Sequence, residues 1–425
     1  MISRELLREV LLEQRNRIRL FGSEEMVPRE KLAEIRKLVG VRHSVVVTGV
    51  RRCGKSVFLS EVMDGFYDRY YYVNFEDERL AAFGLGDFNA LYEVCLELFG
   101  PAKVFFLDEV QNVPGWERWV RRMYDDGFKF FITGSNARLL SRELASSLTG
   151  RHLQLPMYPF SFGEFLEFRK FGFRKEDFYL TERRAVLARH FSQYLKLGGF
   201  PEFLKFGRKE ILQGYFNDIV QRDVAQRHAI RDIRQLKELA RYLITNAGNL
   251  ATFNQMKRMT GIRSVNTVIK YLSHLEDAYL LFAVPPFTYS LKRQVGSPFK
   301  VYAVDNGLRD TISFTFSKDL GRAYENLVAI ELKRRGREIY YWKTPREEVD
   351  FVVRDARVSQ LIQVCYKPDD TDVRNREIKA LLKASKELKC KNLTVITSSS
   401  EKEEKADNRK IRFVPLWKWL LSQNT

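Results

Sequence analysis

Cysteine is scarce in this chain: four in 425 residues, at Cys53, Cys95, Cys365 and Cys390, widely separated and with no C-x-x-C pair. That pattern excludes a disulfide framework, offers no zinc site and suits a reducing cytosol. There is no apolar run long enough to span a bilayer, and the N-terminus lacks a signal-peptide pattern. A soluble, cytoplasmic protein without membrane association is expected. Fixed-period repeats and low-complexity linkers are also missing, so the domains are expected to pack closely. Negative charge is in deficit, with 54 Asp+Glu against 72 Lys+Arg and a formal net charge of +18. Such a surplus favours polyanionic partners, nucleic acid before anionic membrane surfaces; the competing reading is a charge-rich surface of the kind seen in thermophilic proteins. The length allows about two to four domains.

What is present begins with Gly49–Ser56, G-V-R-R-C-G-K-S, directly after the apolar run Val45, Val46, Val47. This is the pattern G-x-x-x-x-G-K-[ST] between a buried-strand candidate and a helix marked by Val57, Phe58, Leu59, Val62 and Met63. Glycines at both ends let the loop curl so that backbone N–H groups converge on phosphate oxygens at the positive end of the helix. Gly49, Val50, Arg51, Arg52, Cys53, Gly54, Lys55, Ser56 and Val57 are thus the expected ATP-binding segment. Lys55 reaches the β- and γ-phosphates, and Ser56 offers a hydroxyl to Mg²⁺.

A second apolar run, Val104 to Leu107, ends in Asp108 and Glu109. Asp108 is expected to hold Mg²⁺ through water, and Glu109 to orient or deprotonate the attacking water. A third run, Phe128 to Thr133, leads into Gly134, Ser135 and Asn136. A polar residue there either senses the γ-phosphate between the other two strands or caps a helix starting near Arg138.

With these segments, the chain resembles the AAA+-like P-loop ATPases of prokaryotes and archaea that carry a further C-terminal region. The likeness rests on V-V-V-T-G-V-R-R-C-G-K-S, F-F-L-D-E-V-Q-N-V-P-G-W-E, F-I-T-G-S-N-A-R-L-L-S, L-T-G-R, L-P-M-Y-P-F-S-F-G-E-F-L and Y-L-K-L-G-G-F-P-E. By that resemblance Ser135 and Asn136 match a sensor position, and Arg151 matches a basic position that acts on nucleotide in cis or from a neighbouring subunit. A structural ion pair is the competing role for Arg151. The resemblance also implies a helical lid from Pro159 to about Val220, broken by Gly198-Gly199-Phe200-Pro201-Glu202.

Residues 232–300 read as helix, Gly-containing turn, helix. Leu236, Leu239, Ala240 and Leu243 mark one helix, Thr252 caps a second, Thr260-Gly261-Ile262 turns, and Ser264 opens a third. Leu280–Val284 and Tyr289 to Gln294 read as a wing. Arg263, Asn266, Thr267 and Lys270 would then enter a major groove while Lys292 and Arg293 meet phosphates. A packing or protein-interaction module is the alternative.

The C-terminal region resembles the restriction-endonuclease-like fold, in which an Asp on one strand and E-x-K on the next bind Mg²⁺. Asp350 matches the Asp and Glu325 the helical Glu, giving Glu325, Asp350 and Gln363 as a possible second metal site. In place of E-x-K stands Gln363-Val364-Cys365, which lacks the positive charge. Lys367 points to the same side at strand spacing but precedes Pro368. A degenerate, non-cleaving domain is expected.

The expected fold is α/β: a P-loop NTPase parallel sheet with a helical lid, then a winged-helix domain and a C-terminal restriction-endonuclease-like domain. The boundaries are 1–40 (helical segment), 41–157 (ATPase core), 158–230 (lid), 231–303 (winged helix) and 304–425 (endonuclease-like). The expected function is a Mg²⁺-dependent ATPase acting on DNA or a protein partner, with Lys55, Glu109, Asn136 and Arg151 as its catalytic residues and homo-oligomerisation open. The alternatives are an ATP-gated metal-dependent nuclease and an ATP-controlled scaffold that ignores DNA.

Overall fold

A computed structural model describes residues 2–23, 26–135, 150–313, 319–367 and 370–422. The chain forms two compact units: Met1–Tyr158 with Asp277–Tyr279, and Pro159–Glu276 with Leu280–Thr425.

In the first unit, strands β1 (Ser44–Gly49), β2 (Tyr71–Asn74), β3 (Val104–Asp108), β4 (Lys129–Gly134) and β5 (His152–Met157) form one sheet, ordered β2-β3-β4-β1-β5. Every pairing is parallel. Parallel strands covered on both faces read as continuous apolar runs, and β1 and β3 are buried along their whole length. Alternate side chains go to opposite faces. On one face Phe105 stacks on Phe130 at 5.6 Å; on the other Phe106 stacks on Phe131 at 4.8 Å.

Helices α1 (Arg4–Ser23), α4 (Phe88–Phe99) and α5 (Trp116–Asp125) bury Leu7, Val10, Leu91, Trp116 and Trp119 in one cluster with Val46, Tyr71, Phe105 and Phe130. Truncating one such ring to Ala costs about 3–5 kcal/mol. Helix α2 (Leu32–Leu38) is short, and α3 (Lys55–Phe66) follows the β1 loop. Because the sheet is parallel, the C-terminal ends of β1, β3 and β4 share an edge, so Gly49, Asp108 and Gly134 meet there. Ligands of open α/β sheets bind outside that edge.

The second unit starts with helices Phe162–Phe168, Thr181–Leu197, Pro201–Phe206 and Lys209–Asp218. Asp305 clasps them to later chain: its carboxylate accepts from Gly199 N at 2.7 Å and from Leu308 N at 2.9 Å. A Cβ on Gly199 would lie 2.3 Å from the Phe160 carbonyl oxygen, and one on Gly307 would lie 2.0 Å from that of Leu197. Glycine at both places is what permits the close approach. From Pro159 onward, the segment expected as a lid is therefore packed as part of the second unit.

Next come helix Ile233–Thr245, strand β6 (Leu250–Ala251), helix Phe253–Thr260, helix Val265–Asp277, and strands β7 (Leu281–Val284) and β8 (Phe299–Ala303). The sheet is antiparallel in the order β6-β8-β7. Thr252 caps its helix through Gln255 N, and Gly261 ends it at φ 67°. One expectation is corrected: Leu291–Gly296 is a short helix, and the strand returning beside β7 is Phe299–Ala303. Leu-Lys-Arg-Gln is a run of good helix formers, whereas Phe-Lys-Val-Tyr-Ala carries the β-branched and aromatic residues that suit a buried strand.

The last module is helix Leu320–Arg334 followed by β9 (Glu338–Lys343), β10 (Glu348–Arg354), β11 (Val358–Cys365), helix Thr371–Glu387, β12 (Leu393–Thr397), β13 (Lys402–Ala406) and β14 (Arg409–Pro415). Its sheet runs β13-β14-β12-β11-β10-β9. Strands β9, β10 and β11 form an antiparallel meander, and β11, β12 and β14 are parallel. Leu381 and Ala384 of helix Thr371–Glu387 bury against Val349, Leu361, Val395 and Phe413.

Candidate nucleotide-binding site

The loop from Gly49 to Ser56 turns at the C-terminal edge of β1, and its shape is dictated by close neighbours. Gly49 has φ 150°, and a Cβ there would lie 2.2 Å from the Met157 carbonyl oxygen. Gly54 has φ 97° and precedes the first residue of α3. Arg29 is buried and braces the loop from outside: Nη1 donates to Cys53 O at 2.7 Å and Nη2 to Tyr158 O at 2.6 Å. Arg51 pairs with Glu76 at 2.6 Å, while Arg52 is exposed. Val50 and Cys53 are buried, and burial pushes the Cys53 thiol pKa up, so this thiol is kept in its neutral form.

Lys55 is 6% exposed. Its ammonium donates to Gly49 O at 3.1 Å and Val50 O at 3.2 Å, and lies 3.7 Å from Glu109 Oε1. It is therefore folded into the loop, within reach of the volume the loop encloses. Ser56 is hydrogen-bonded to the Asp108 carboxylate, which is buried, 1% exposed. Asp108 also accepts from the Thr133 hydroxyl, and from Tyr72 OH at 3.2 Å. Burial raises the Asp108 pKa and Glu109 adds to the rise, whereas Ser56, Thr133 and Lys55 oppose it.

Glu109 has φ 50°, left-handed backbone that a non-glycine residue adopts at a cost of about 1 kcal/mol or more. Its N–H donates to Thr133 Oγ1 at 3.0 Å, and its carboxylate, which accepts from Gln111, faces Lys55. Thr133 thus touches both members of the acidic pair. It had a strand pattern around it but no local signal of this role, as with Arg29 and Tyr72. Ser135 is buried at the end of β4, and Asn136 lies outside the described residues.

Arg151 is corrected. It precedes β5, whose His152 pairs with Ser44 and whose Met157 pairs with Gly49. At about 3.3 Å per residue, roughly 16 Å of strand separates it from the loop on the same chain. Arg151 Nη1 lies 3.4 Å from Asp125 Oδ1, and its guanidinium is 5.7 Å from the Tyr124 ring centroid. A cis role on nucleotide is excluded by this register.

In the last module Glu325, Asp350 and Gln363 come together around a residue no motif had indicated. Lys300, on β8, lies with Nζ 2.8 Å from Glu325, 2.7 Å from Glu348 and 3.0 Å from Asp350. Burial alone would lower the lysine pKa, but Glu325, Tyr302, Asp350 and Glu348 together raise it well above its ordinary value. Lys367 is exposed beyond the end of β11, so it is not the cation of this cluster. Gln363 Oε1 accepts from Asp350 N at 3.2 Å, and its amide donates to Glu377 at 2.5 Å.

The profile described as an AAA domain matches residues 41–166, and two domains of unknown function, DUF8612 and DUF4143, match 188–319 and 320–419. Uncharacterized protein MJ1544 of Methanocaldococcus jannaschii is 40% identical over 396 residues, 89% of this chain and 88% of that protein. An uncharacterized protein of Haemophilus influenzae is 31% identical over 366 residues, 82% of this chain and 89% of that protein. Among solved structures, the Walker-type ATPase PABY2304 of Pyrococcus abyssi is 13% identical with a TM-score of 0.43, covering 68% of this chain and 96% of that one. Among the described residues, no helix is long and apolar enough to cross a membrane.

Proposed function

Because the chain belongs to the family of MJ1544 and its Haemophilus influenzae relative and carries an AAA domain, we propose that it is a cytoplasmic, Mg²⁺-dependent ATPase. The observation that carries this reading is the meeting of Lys55, Ser56, Asp108 and Glu109 at one sheet edge. The donor set suits a magnesium nucleotide: a hard hydroxyl oxygen on Ser56, hydrogen-bonded to a carboxylate positioned by Thr133 and Tyr72. When bound, Mg²⁺ neutralises charge on the β- and γ-phosphates.

The rest is done by the chain. Loop N–H groups and the α3 terminus receive phosphate oxygens, and Lys55 exchanges the Gly49 and Val50 carbonyls for the triphosphate. Glu109, aimed inward by its left-handed backbone, orients the attacking water and takes its proton. Phosphate release in the presence of ATP and Mg²⁺ tests this. Lys55→Ala should lose nucleotide binding, and Glu109→Gln should retain ATP yet stall hydrolysis. Unchanged turnover in both variants ends the assignment.

The output of hydrolysis is read as a change of binding to DNA. Helix Phe253–Thr260, the Gly261 turn, helix Val265–Asp277 and the β6-β8-β7 sheet follow winged-helix order. Arg263, Asn266 and Lys270 are exposed on or just before the third helix. With the net charge of +18, this favours DNA over an uncharged protein surface.

A further inference from the structure

The three carboxylates around Lys300 come from three elements: Glu325 from helix Leu320–Arg334, and Glu348 and Asp350 from opposite ends of a turn of β10, facing the β8 lysine. An ammonium has three N–H donors and no acceptor. Here each donor has its own carboxylate, at 2.7–3.0 Å, and Nζ stands between them. The Lys300 side chain is 3% exposed, and the Tyr341 ring lies 6.0 Å from the ammonium.

The remaining oxygens are engaged from outside the cluster. Glu325 Oε1 also accepts from Tyr302 OH at 2.7 Å, and Asp350 Oδ2 accepts from Val364 N at 3.0 Å. A lysine that assisted chemistry at a metal would stand beside the ion and leave the ligand oxygens free to face it. This one sits where the ion itself would sit. The carboxylates are spread to N···O distances, whereas a divalent cation would draw oxygens in to about 2.0–2.6 Å. In keeping with that spread, no group of three or more His, Cys, Asp and Glu among the described residues is arranged to hold a metal ion.

We propose that the Lys300 ammonium occupies the cation position of a divalent-metal site formed by Glu325, Glu348 and Asp350, so that lysine and metal exclude one another. Two cations cannot share one position of this size, since their repulsion is strongest in a poorly solvated interior. The tethered lysine is always at hand, and the site is metal-free while β8 stays paired. Three carboxylates against one ammonium still leave an excess of negative charge, which is what a 2+ ion of the Mg²⁺ or Mn²⁺ class would meet once the lysine is withdrawn. Because β8 lies between β6 and β7 in the sheet of the helix–turn–helix module, a movement of that sheet is the means of withdrawal. The inference does not depend on the ATPase reading.

The test is Mn²⁺ binding to the nucleotide-free full chain, followed by the electron paramagnetic resonance signal of free Mn²⁺. A Lys55→Ala background silences the nucleotide loop. With Lys300 in place, no stoichiometric site is expected. Lys300→Ala and Lys300→Met should each gain one Mn²⁺ per chain, about 100-fold or more tighter, because the competent fraction is no longer suppressed. Adding Asp350→Asn should abolish the gain. Folded Lys300 variants that bind no Mn²⁺ overturn the proposal. So does stoichiometric Mn²⁺ binding with Lys300 intact that Asp350→Asn removes, a result that needs no Lys300 variant to fold.

Discussion

The Tyr279 hydroxyl donates to Thr48 Oγ1 at 2.6 Å, joining residues 231 apart in the chain at the last position before the nucleotide loop. Asp277–Tyr279 belong to the first unit, although the chain on both sides belongs to the second. Tyr279 holds left-handed backbone at φ 56°, and burial pushes its hydroxyl pKa up to about 12. The helix that bears Asn266 and Lys270 therefore runs covalently into a residue bonded to the β1 end. Tyr279→Phe should keep the fold, lose about 1 kcal/mol of stability, and weaken nucleotide affinity a few-fold. Calorimetric ATP titration checks this, and identical affinity and melting temperature would show that the bond is incidental.

Thr133 serves both acidic residues at once, donating to Asp108 and accepting from Glu109 N. Thr133→Val keeps the shape and removes the hydroxyl, leaving a buried N–H short of a partner at a cost of about 1–3 kcal/mol. Turnover should fall about tenfold or more while ATP affinity changes far less, since the lost contact orients the water-activating residue. Steady-state kinetics separates the two effects; an affinity loss without a turnover loss would assign Thr133 to binding alone.

Asp305 predicts a pH effect on the second unit. Burial raises its pKa from 3.8 to about 6, against opposition from the Leu308, Gly199 and Gly307 N–H groups and the Arg334 charge. Tyr194 is the other titratable group coupled to it. A raised folded-state value means that the folded chain holds this proton more tightly than the unfolded chain. Its contribution is therefore complete below about pH 3.8 and lost as pH rises through about 6. The shift of about 2 units corresponds to roughly 3 kcal/mol at most. Thermal melts from pH 4 to 8 should show this slope in the wild type and a flatter one in Asp305→Asn; parallel slopes count against it.

DNA binding, if it runs through the third helix of the module, should weaken steeply with salt, log K falling by about 0.9 per phosphate contact per decade. Arg263→Ala with Lys270→Ala should lower affinity and reduce that slope by about 2. Fluorescence anisotropy over a salt series measures both. No affinity at low salt leaves the net charge as surface only and favours the scaffold alternative.

Much of the nucleotide site was legible because its parts are contiguous in sequence. Gly49–Ser56 and Asp108-Glu109 each follow an apolar run, and a parallel sheet brings the ends of such runs to one edge whatever the rest of the chain does. Thr133, Arg29, Tyr279 and Lys300 were not legible. Each acts through one long-range contact, and nothing in its neighbours distinguishes it from an ordinary buried or surface residue. Arg151 misled for the converse reason. Its local motif is suggestive, but strand register puts it at the wrong end of β1.

The sequence by itself determined the local chemistry: which loop can wrap a triphosphate, which strand ends in carboxylates, and which later strand has lost its lysine. Only the tertiary structure decided what those groups face. It placed Thr133 between Asp108 and Glu109, tied Tyr279 to Thr48, and returned a positive charge to Asp350 from β8, 50 residues earlier. Motifs arise from neighbours along the chain, whereas charge balance in a buried site is settled by whichever side chains packing brings within about 3 Å.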